Sequence, residues 1–472
     1  MPRYFVTLIV AVALFMETMD STVIATSLPT IAVDMGQDPI ALKLALTSYL
    51  LSLAVFIPLS GWVADRFGAR TVFRAAIVVF TLGSALCGFA HSLPEFVLYR
   101  ILQGVGGAMM VPVGRLVILR TVPKPELISA LAWLTIPALL GPVIGPPLGG
   151  FITTYTSWRW IFWINIPVGV LGVTLATHFV ANVREPDMPP LDIKGFILSG
   201  FGLAGLAFGL TTIGQGLLPP SAVLALLAMG GFGCWLYVRH AREAKAPLID
   251  LRLLKVDTFY ASVVGGFLFR IGIGAMPFLL PLLFQLGFGM TPFRSGLLTV
   301  AGAIGAVTMK TTAARILRRF GFRRVLVVNA LISSGFLAAS ALFMPGLPHA
   351  VIFAVLLVGG FFKSLEFTSI NTLAYADIET RAMSRATSFA SVAQQLSLSA
   401  GVAVGALVLE LERMERGTTN VAASDFVAAF VLVAAIAAMS AFVFATLPQT
   451  AGASLSSRAR PLRVTQDSVS RA

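Results

Sequence analysis

The sequence predicts an all-α integral membrane protein of fourteen transmembrane helices, arranged as two six-helix pseudo-symmetric bundles with a two-helix insertion between them. Three observations lead there. Of 472 residues, 57% are hydrophobic and only 12% charged, whereas a soluble domain carries about 25% charged residues. Apolar runs long enough to cross a bilayer core of about 30 Å follow one another with short polar breaks, as at 71–90, 222–237 and 426–446. A short basic signature also recurs 253 residues further along the chain.

The breaks place helices at 5–28, 41–64, 71–91, 95–117, 127–151, 159–182, 193–213, 220–239, 257–283, 293–314, 323–343, 350–372, 386–409 and 425–447. The first run imitates a signal peptide, but it has no small-residue cleavage site and continues through Glu17 and Asp20 to Leu28, so it reads as a retained helix. The formal charge of +13, from 34 Lys+Arg and 21 Asp+Glu, is not gathered on one soluble surface, which argues against a nucleic-acid partner. The cations instead fill alternate gaps: Arg66 and Arg70; Arg120 and Lys124; Arg184; Arg239 to Lys255; Arg315 to Arg324; Arg381 and Arg385; and Arg458, Arg460 and Arg463. By the positive-inside rule those gaps and both termini are cytoplasmic, so the number of spans is even. A multi-pass protein of the bacterial inner membrane is expected, with the lipid bilayer as its surroundings. Cys87 and Cys234 lie in apolar runs without metal or disulfide spacing and read as packing residues.

The repeat organises these helices. Asp65-Arg66-Phe67-Gly68-Ala69-Arg70-Thr71-Val72 matches Arg318-Arg319-Phe320-Gly321-Phe322-Arg323-Arg324-Val325, and the same offset carries 5–28 onto 258–281, where the ninth helix is expected. Residues 1–190 are therefore expected to form the first bundle, 191–256 the inserted pair with a basic loop, 257–447 the second bundle and 448–472 a basic cytoplasmic tail.

Three segments stand out chemically. In the loop after helix 2, Gly61 to Arg70, small residues allow close helix approach and Gly68 a tight turn. Asp65, with Arg66 and Arg70 nearby, can form a breakable latch with a neighbouring helix end or arginine; the bland alternative is a basic loop that only sets topology. On helix 4, Arg100, Gln103, Gly104 and Gly107 share a face at i, i+3, i+4 and i+7, and an arginine inside a membrane is a functional candidate. Helix 5 carries a stripe of Gly141, Gly145 and Gly149 with Pro142 and Pro146, which suits close packing with a bend; gating and ordinary packing are both open readings.

Together with Leu14 to Pro29 and Ser157 to Gly169, these segments resemble, in order, the motifs of the major facilitator superfamily, and among them the fourteen-helix drug:proton antiporter branch. Gln103 to Leu116 is similar to its multidrug exporters. The resemblance implies the major facilitator fold and proton-coupled secondary active efflux of small organic compounds or drugs. It implies no catalytic residues, metal or organic cofactor, the proton gradient serving as energy source, and a monomer with protons and a small-molecule substrate as its ligands. Two departures stand out: Arg318 replaces the acidic latch residue in the second copy, and Ala25 and Thr26 stand where the branch often has an asparagine.

The sparse intramembrane charges suggest where coupling occurs. Asp20 and Arg100 lie at similar depth, roughly 12 and 9 Å from the outer ends of helices 1 and 4 at 1.5 Å per residue. Paired they would stay charged, whereas a buried unpaired carboxyl is driven toward its neutral form, which makes a workable proton switch with Glu17 one turn away. A static pair that fixes packing is the alternative. The offset places Glu17 opposite Arg270, so Glu17, Arg270 and Glu366 are candidate substrate contacts, although Lys363 and Glu366 as i, i+3 neighbours are expected to satisfy each other. Trp158, Trp160 and Trp163 suggest an interfacial belt, Lys310 and Arg115 snorkelling side chains, and His178 a packing residue. No H-E-x-x-H, G-x-S-x-G or phosphate-loop pattern occurs, which argues against an enzyme or direct ATP drive. A dedicated exporter of an endogenous metabolite or organic anion uses the same scaffold, and a non-transporting sensor or scaffold is the remote alternative.

Overall fold

The computed structural model describes residues 4–121, 127–182, 184, 190–212, 219–244, 247–379, 382–417 and 421–452. The tail expected beyond 452, with Arg458, Arg460 and Arg463, lies outside the described residues, as do Lys124, Lys245 and Arg381. All regular structure among the described residues is helical.

Among the described residues, fourteen helices have fifteen or more residues. They are α1 (Tyr4–Val23), α2 (Lys43–Phe67), α3 (Ala69–Phe89), α4 (Leu93–Thr121), α5 (Leu127–Tyr155), α6 (Asn165–Phe179), α7 (Ile193–Thr212), α8 (Pro220–Glu243), α9 (Gly266–Leu282), α10 (Pro292–Lys310), α11 (Phe322–Ala339), α12 (His349–Leu373), α13 (Met383–Glu415) and α14 (Asp425–Ala445). Among the described residues, twelve spans are long and apolar enough to cross a membrane, against fourteen expected. The two helices outside that dozen are α5 and α10. The side chains of 127–139 lie outside the described residues, and α10 carries Arg294 and Lys310 at its ends.

Lipid tails are as apolar as leucine, so helices associate through close packing more than through the hydrophobic effect. Small residues show this directly. A methyl group added at Gly141 or Gly145 of α5 would overlap Thr18 or Thr22 of α1, and at Gly149 it would overlap the Val23 carbonyl. Within residues 4–182, α1 packs on α5, α4 on α2 and α3, and α3 on α6. Within 257–447, α9 packs on α13, α12 on α10 and α11, and α11 on α14. The two sets meet where α2 lies along α13 and α5 along α10. The inserted α7 and α8 pack on each other, and α7 lies against both α2 and α13. The segments before α7 and after α8 are tied down, Asp192 Oδ1 lying 2.7 Å from His240 Nε2 of α8 and Asp250 Oδ2 lying 2.7 Å from Arg385 Nη1 of α13.

The recurring signature has a backbone correlate. Gly68 joins α2 to α3 with φ +96°, and Gly321 joins the short helix Ala313–Phe320 to α11 with φ +78°. Both turns need a left-handed conformation that glycine adopts without the Cβ penalty.

Candidate functional site

Helix α1 runs as far as Val23 and then tightens into a 3-10 turn at Ile24–Thr26 before the short helix Leu28–Asp34. Asp20 sits in the last turn of α1, surrounded by other helices. Asp20 is 2% exposed, and Arg100, Gln103 and Asn165 are fully buried. The Asp20 carboxylate accepts from Arg100 Nη1 at 2.8 Å, Gln103 Nε2 at 2.9 Å and Asn165 Nδ2 at 3.0 Å. Arg100 also donates to Gln103 Oε1 at 2.5 Å and from Nε to the Ala45 carbonyl at 3.3 Å. Its guanidinium lies 4.3 Å from the Tyr49 ring centroid, close enough for a cation–π contact.

This network satisfies the carboxylate fully but not the arginine, whose Nη2 has no hydrogen-bond partner among the described residues. In a medium without water, the charge of Arg100 is balanced by Asp20. Neutralising Asp20 with a proton removes that balance, so protonation must be accompanied by rearrangement of Arg100 or by entry of another anion or water. Glu17 is close by: Tyr49, whose ring stacks on Arg100, donates its hydroxyl to Glu17 Oε1 at 3.1 Å. Asn165 also donates to Ser84 Oγ at 3.0 Å, and Ser84 donates to the Phe162 carbonyl at 2.9 Å, joining α3 and α6 to the same cluster.

Sequence reasoning brought Asp20, Arg100, Gln103 and Glu17 to this region, but missed Tyr49, Asn165 and Ser84. An asparagine inside the Trp-rich segment of 157–169 was the available signal, because a polar side chain in an apolar helix needs a partner.

The other candidates are dispersed. Gly104 and Gly107 let α4 approach Ser52 and Tyr49 of α2. Either side of Gly68, Arg66 in the last turn of α2 is exposed, while Arg70 Nη1 in the first turn of α3 reaches the Val180 carbonyl at 3.5 Å. Asp65 lies in the last turn of α2, and Gly61, one turn earlier, faces open space. Arg270 of α9 donates to Asn371 Oδ1 at 2.8 Å and lies over the Phe367 ring. Glu366 does not pair with Lys363 as the local spacing predicts. Its Oε2 accepts instead from Asn329 Nδ2 of α11 at 2.8 Å, a partner on a neighbouring helix winning over one on its own. The aromatic belt is likewise only partly realised. Trp158 is buried against Phe96 and Phe162 with its indole N–H on Asp34 Oδ2 at 3.1 Å, while Trp160 is exposed.

A cavity of about 300 Å³ lies between α1 and α5 on one side and α9 to α12 on the other. Thr22, Pro142 and Pro146 line it from the first set of helices and Phe269, Met276 and Lys363 from the second. Glu17, Arg270 and Glu366 do not line it.

Two ion pairs bridge the two sets of helices at one end of the bundle. Lys43 Nζ, at the start of α2, lies 3.7 Å from Glu410 Oε2 of α13, both side chains buried. Arg413 of α13 pairs with Asp38. Gln285 Nε2 adds a bond to the Thr26 carbonyl at 2.8 Å. Lys43 was readable as a cation within the apolar stretch 41–64, yet its partner lies 367 positions along the chain.

Two sets of membrane helices meet around a cavity, and one of them holds a buried carboxylate–arginine pair, which is the architecture of a polytopic membrane transporter. The chain belongs to the Major Facilitator Superfamily, whose sequence profile matches residues 10–402 and 263–465. It is similar to the "Putative multidrug resistance protein MdtD" of Yersinia enterocolitica, 39% identical over 94% of this chain and 95% of that protein. The protein of the same name from Escherichia coli strain 55989 is 38% identical over 93% of this chain and 94% of its own length. Among solved structures, a D-xylose–proton symporter matches with a TM-score of 0.68 and 16% identity, covering 95% of this chain and 99% of that one. A bacterial homologue of the human lysosomal transporter Spinster, in an inward-facing, unoccupied conformation, matches with a TM-score of 0.63 and 15% identity over 94% and 96% of the two chains.

Proposed function

We propose that this transporter is a proton-coupled antiporter that exports small organic compounds across the bacterial inner membrane by alternating access. In this reading all fourteen long helices cross the bilayer, both termini are cytoplasmic, and residues 1–190 and 257–447 rock against each other with 191–256 riding at their seam. The chain works as a monomer on the proton gradient alone. The like-with-like packing of α1 on α5 and α9 on α13 supports the two-bundle division, and the names of the relatives support drug-like cargo.

The observation that carries the proposal is the Asp20 carboxylate held by Arg100, Gln103 and Asn165. With Asp20 charged, Arg100 is balanced and its Nε holds the Ala45 carbonyl, two residues from Lys43, which pairs with Glu410 of the other bundle. Protonation of Asp20 frees Arg100, and Glu17, linked through Tyr49, is the nearest carboxylate to receive it. Movement of Arg100 then loosens the first turn of α2 and with it the contact to α13. Asp65, Arg66, Gly68 and Arg70 act as the latch at the other end of α2, and the stripe of Gly141, Gly145 and Gly149 with Pro142 and Pro146 lets α5 slide on α1.

Inverted membrane vesicles with an imposed pH gradient, acid inside, test this. Uptake of at least one small organic probe, from a panel of anionic, neutral and cationic aromatic compounds, is expected to require the gradient and to collapse with a protonophore. Gradient-independent uptake, or full gradient-driven uptake by Asp20→Asn, would show the proposal to be wrong.

A further inference from the structure

The cavity between α1, α5 and α9 to α12 is apolar on nearly every wall, and among the described residues Lys363 is the one ionisable side chain in its lining. Its charge has no counterpart. No carboxylate among the described residues lies within ion-pair distance of Lys363. Glu366, one turn further along α12, is turned to Asn329 of α11. A second group in the lining is also unsatisfied: Ser333 Oγ is buried without a hydrogen-bond partner. An ammonium and a hydroxyl that both lack acceptors, set in apolar walls, are complementary to a ligand that supplies one anionic group and an apolar body.

We propose that the cavity binds hydrophobic organic anions of single charge, with the carboxylate or sulfonate against Lys363 and Ser333 and the apolar body against Phe269, Met276 and Leu337. This rests on the reading of the chain as an exporter of small organic compounds and names the class it carries. One cation balances one negative charge. A polycarboxylate would bring further charges into walls that offer them nothing, and a lipophilic cation would meet Lys363 as a like charge. The volume of about 300 Å³ accommodates a body of one or two aromatic rings.

Two naphthalene probes of nearly equal size and opposite charge, 1-naphthoate and 1-naphthylmethylammonium, separate the alternatives by equilibrium dialysis against the purified full-length protein in detergent. The protein is expected to hold naphthoate about tenfold or more tighter than the ammonium. Lys363→Met is expected to abolish that preference, and Lys363→Arg to keep it. Equal or tighter binding of the ammonium, no binding of naphthoate, or unchanged naphthoate affinity in Lys363→Met overturns the proposal. The wild-type comparison decides the matter even if the methionine variant does not fold. Pairing this with uptake in inverted vesicles keeps the two ideas apart. Selective naphthoate binding without gradient-driven uptake refutes antiport but upholds the anion site. Gradient-driven uptake of the ammonium with no naphthoate binding does the reverse.

Discussion

Replacing Lys43 by methionine tests how the two sets of helices are held together at the end of the bundle where α2 begins. Lys43 Nζ and Glu410 Oε2 are 3.7 Å apart, with side-chain exposures of 0% and 4%. Removing Lys43 takes a counter-charge from Glu410 in a water-poor site, and breaking a buried ion pair in this way costs up to about 3–5 kcal/mol. If the pair exists only while these helix ends are together, that cost falls on the closed arrangement alone. A cost of 3 kcal/mol corresponds to a shift of about 150-fold in the closed-to-open ratio. Spin labels on cysteines at Gln37 and Met414, in a background lacking Cys87 and Cys234, report the separation by pulsed dipolar spectroscopy. Lys43→Met is expected to move the distance distribution outward. The double variant Lys43→Met, Glu410→Met is expected to recover much of the short-distance population, because an apolar pair needs no counter-charge in a water-poor site. The reasoning is refuted if the single variant leaves the distribution unchanged, or if the double variant is as open as the sum of the two single ones.

Other outcomes follow from the same geometry. Gly149→Ala is expected to lower thermal stability in detergent by about 1–3 kcal/mol, since the added methyl meets the Val23 backbone, while Gly61→Ala, which meets nothing within 4 Å, is nearly neutral. Tyr49→Phe keeps the ring over Arg100 and loses only the donor to Glu17, for about 1 kcal/mol; Tyr49→Leu also loses the cation–π contact and destabilises more, which chemical denaturation resolves. The hydrogen bond from Arg159, helped by Trp158, holds the Asp34 carboxyl below the usual carboxylate range. A depressed folded-state value means that its stabilisation is complete above about pH 4 and fades as the pH falls through that lower value. With both groups partly exposed the effect is about 0.5 kcal/mol. The gap in melting temperature between wild type and Asp34→Asn is therefore small at neutral pH and closes in acid; a gap that widens in acid contradicts the assignment.

Much of the fold was legible because membrane helices announce themselves through uninterrupted apolar runs, and the expected ends of the fourteen long helices match those observed to within about six residues, except that α9, expected from 257, becomes regular only at Gly266. The membrane-crossing count was less so: α10 dilutes its apolar run with glycine, threonine and terminal cations, and nearly half of α5 has its side chains outside the described residues. Arg100 and Gln103 were readable as neighbours from helical spacing, and Asp20 from the cost of a carboxylate in lipid. Asn165, Tyr49 and Ser84 were not, since their roles depend on which helices α6, α2 and α3 touch. The same limit explains Lys363 and Glu366: spacing along one helix offers a partner, but Asn329 on another helix takes it. Trp158 shows it again, its indole N–H claimed by Asp34 and its ring by Phe96 and Phe162.

The proposed antiport requires that Asp20 take up a proton in exchange for cargo. Infrared difference spectra of the purified protein between alkaline and acid pH read carboxyl protonation directly. Wild type is expected to gain a protonated-carboxyl band that Asp20→Asn lacks, together with a shift in the guanidinium bands that Arg100→Lys removes. If the Asp20→Asn spectrum retains the full carboxyl band, the proton binds elsewhere and the proposed switch is contradicted.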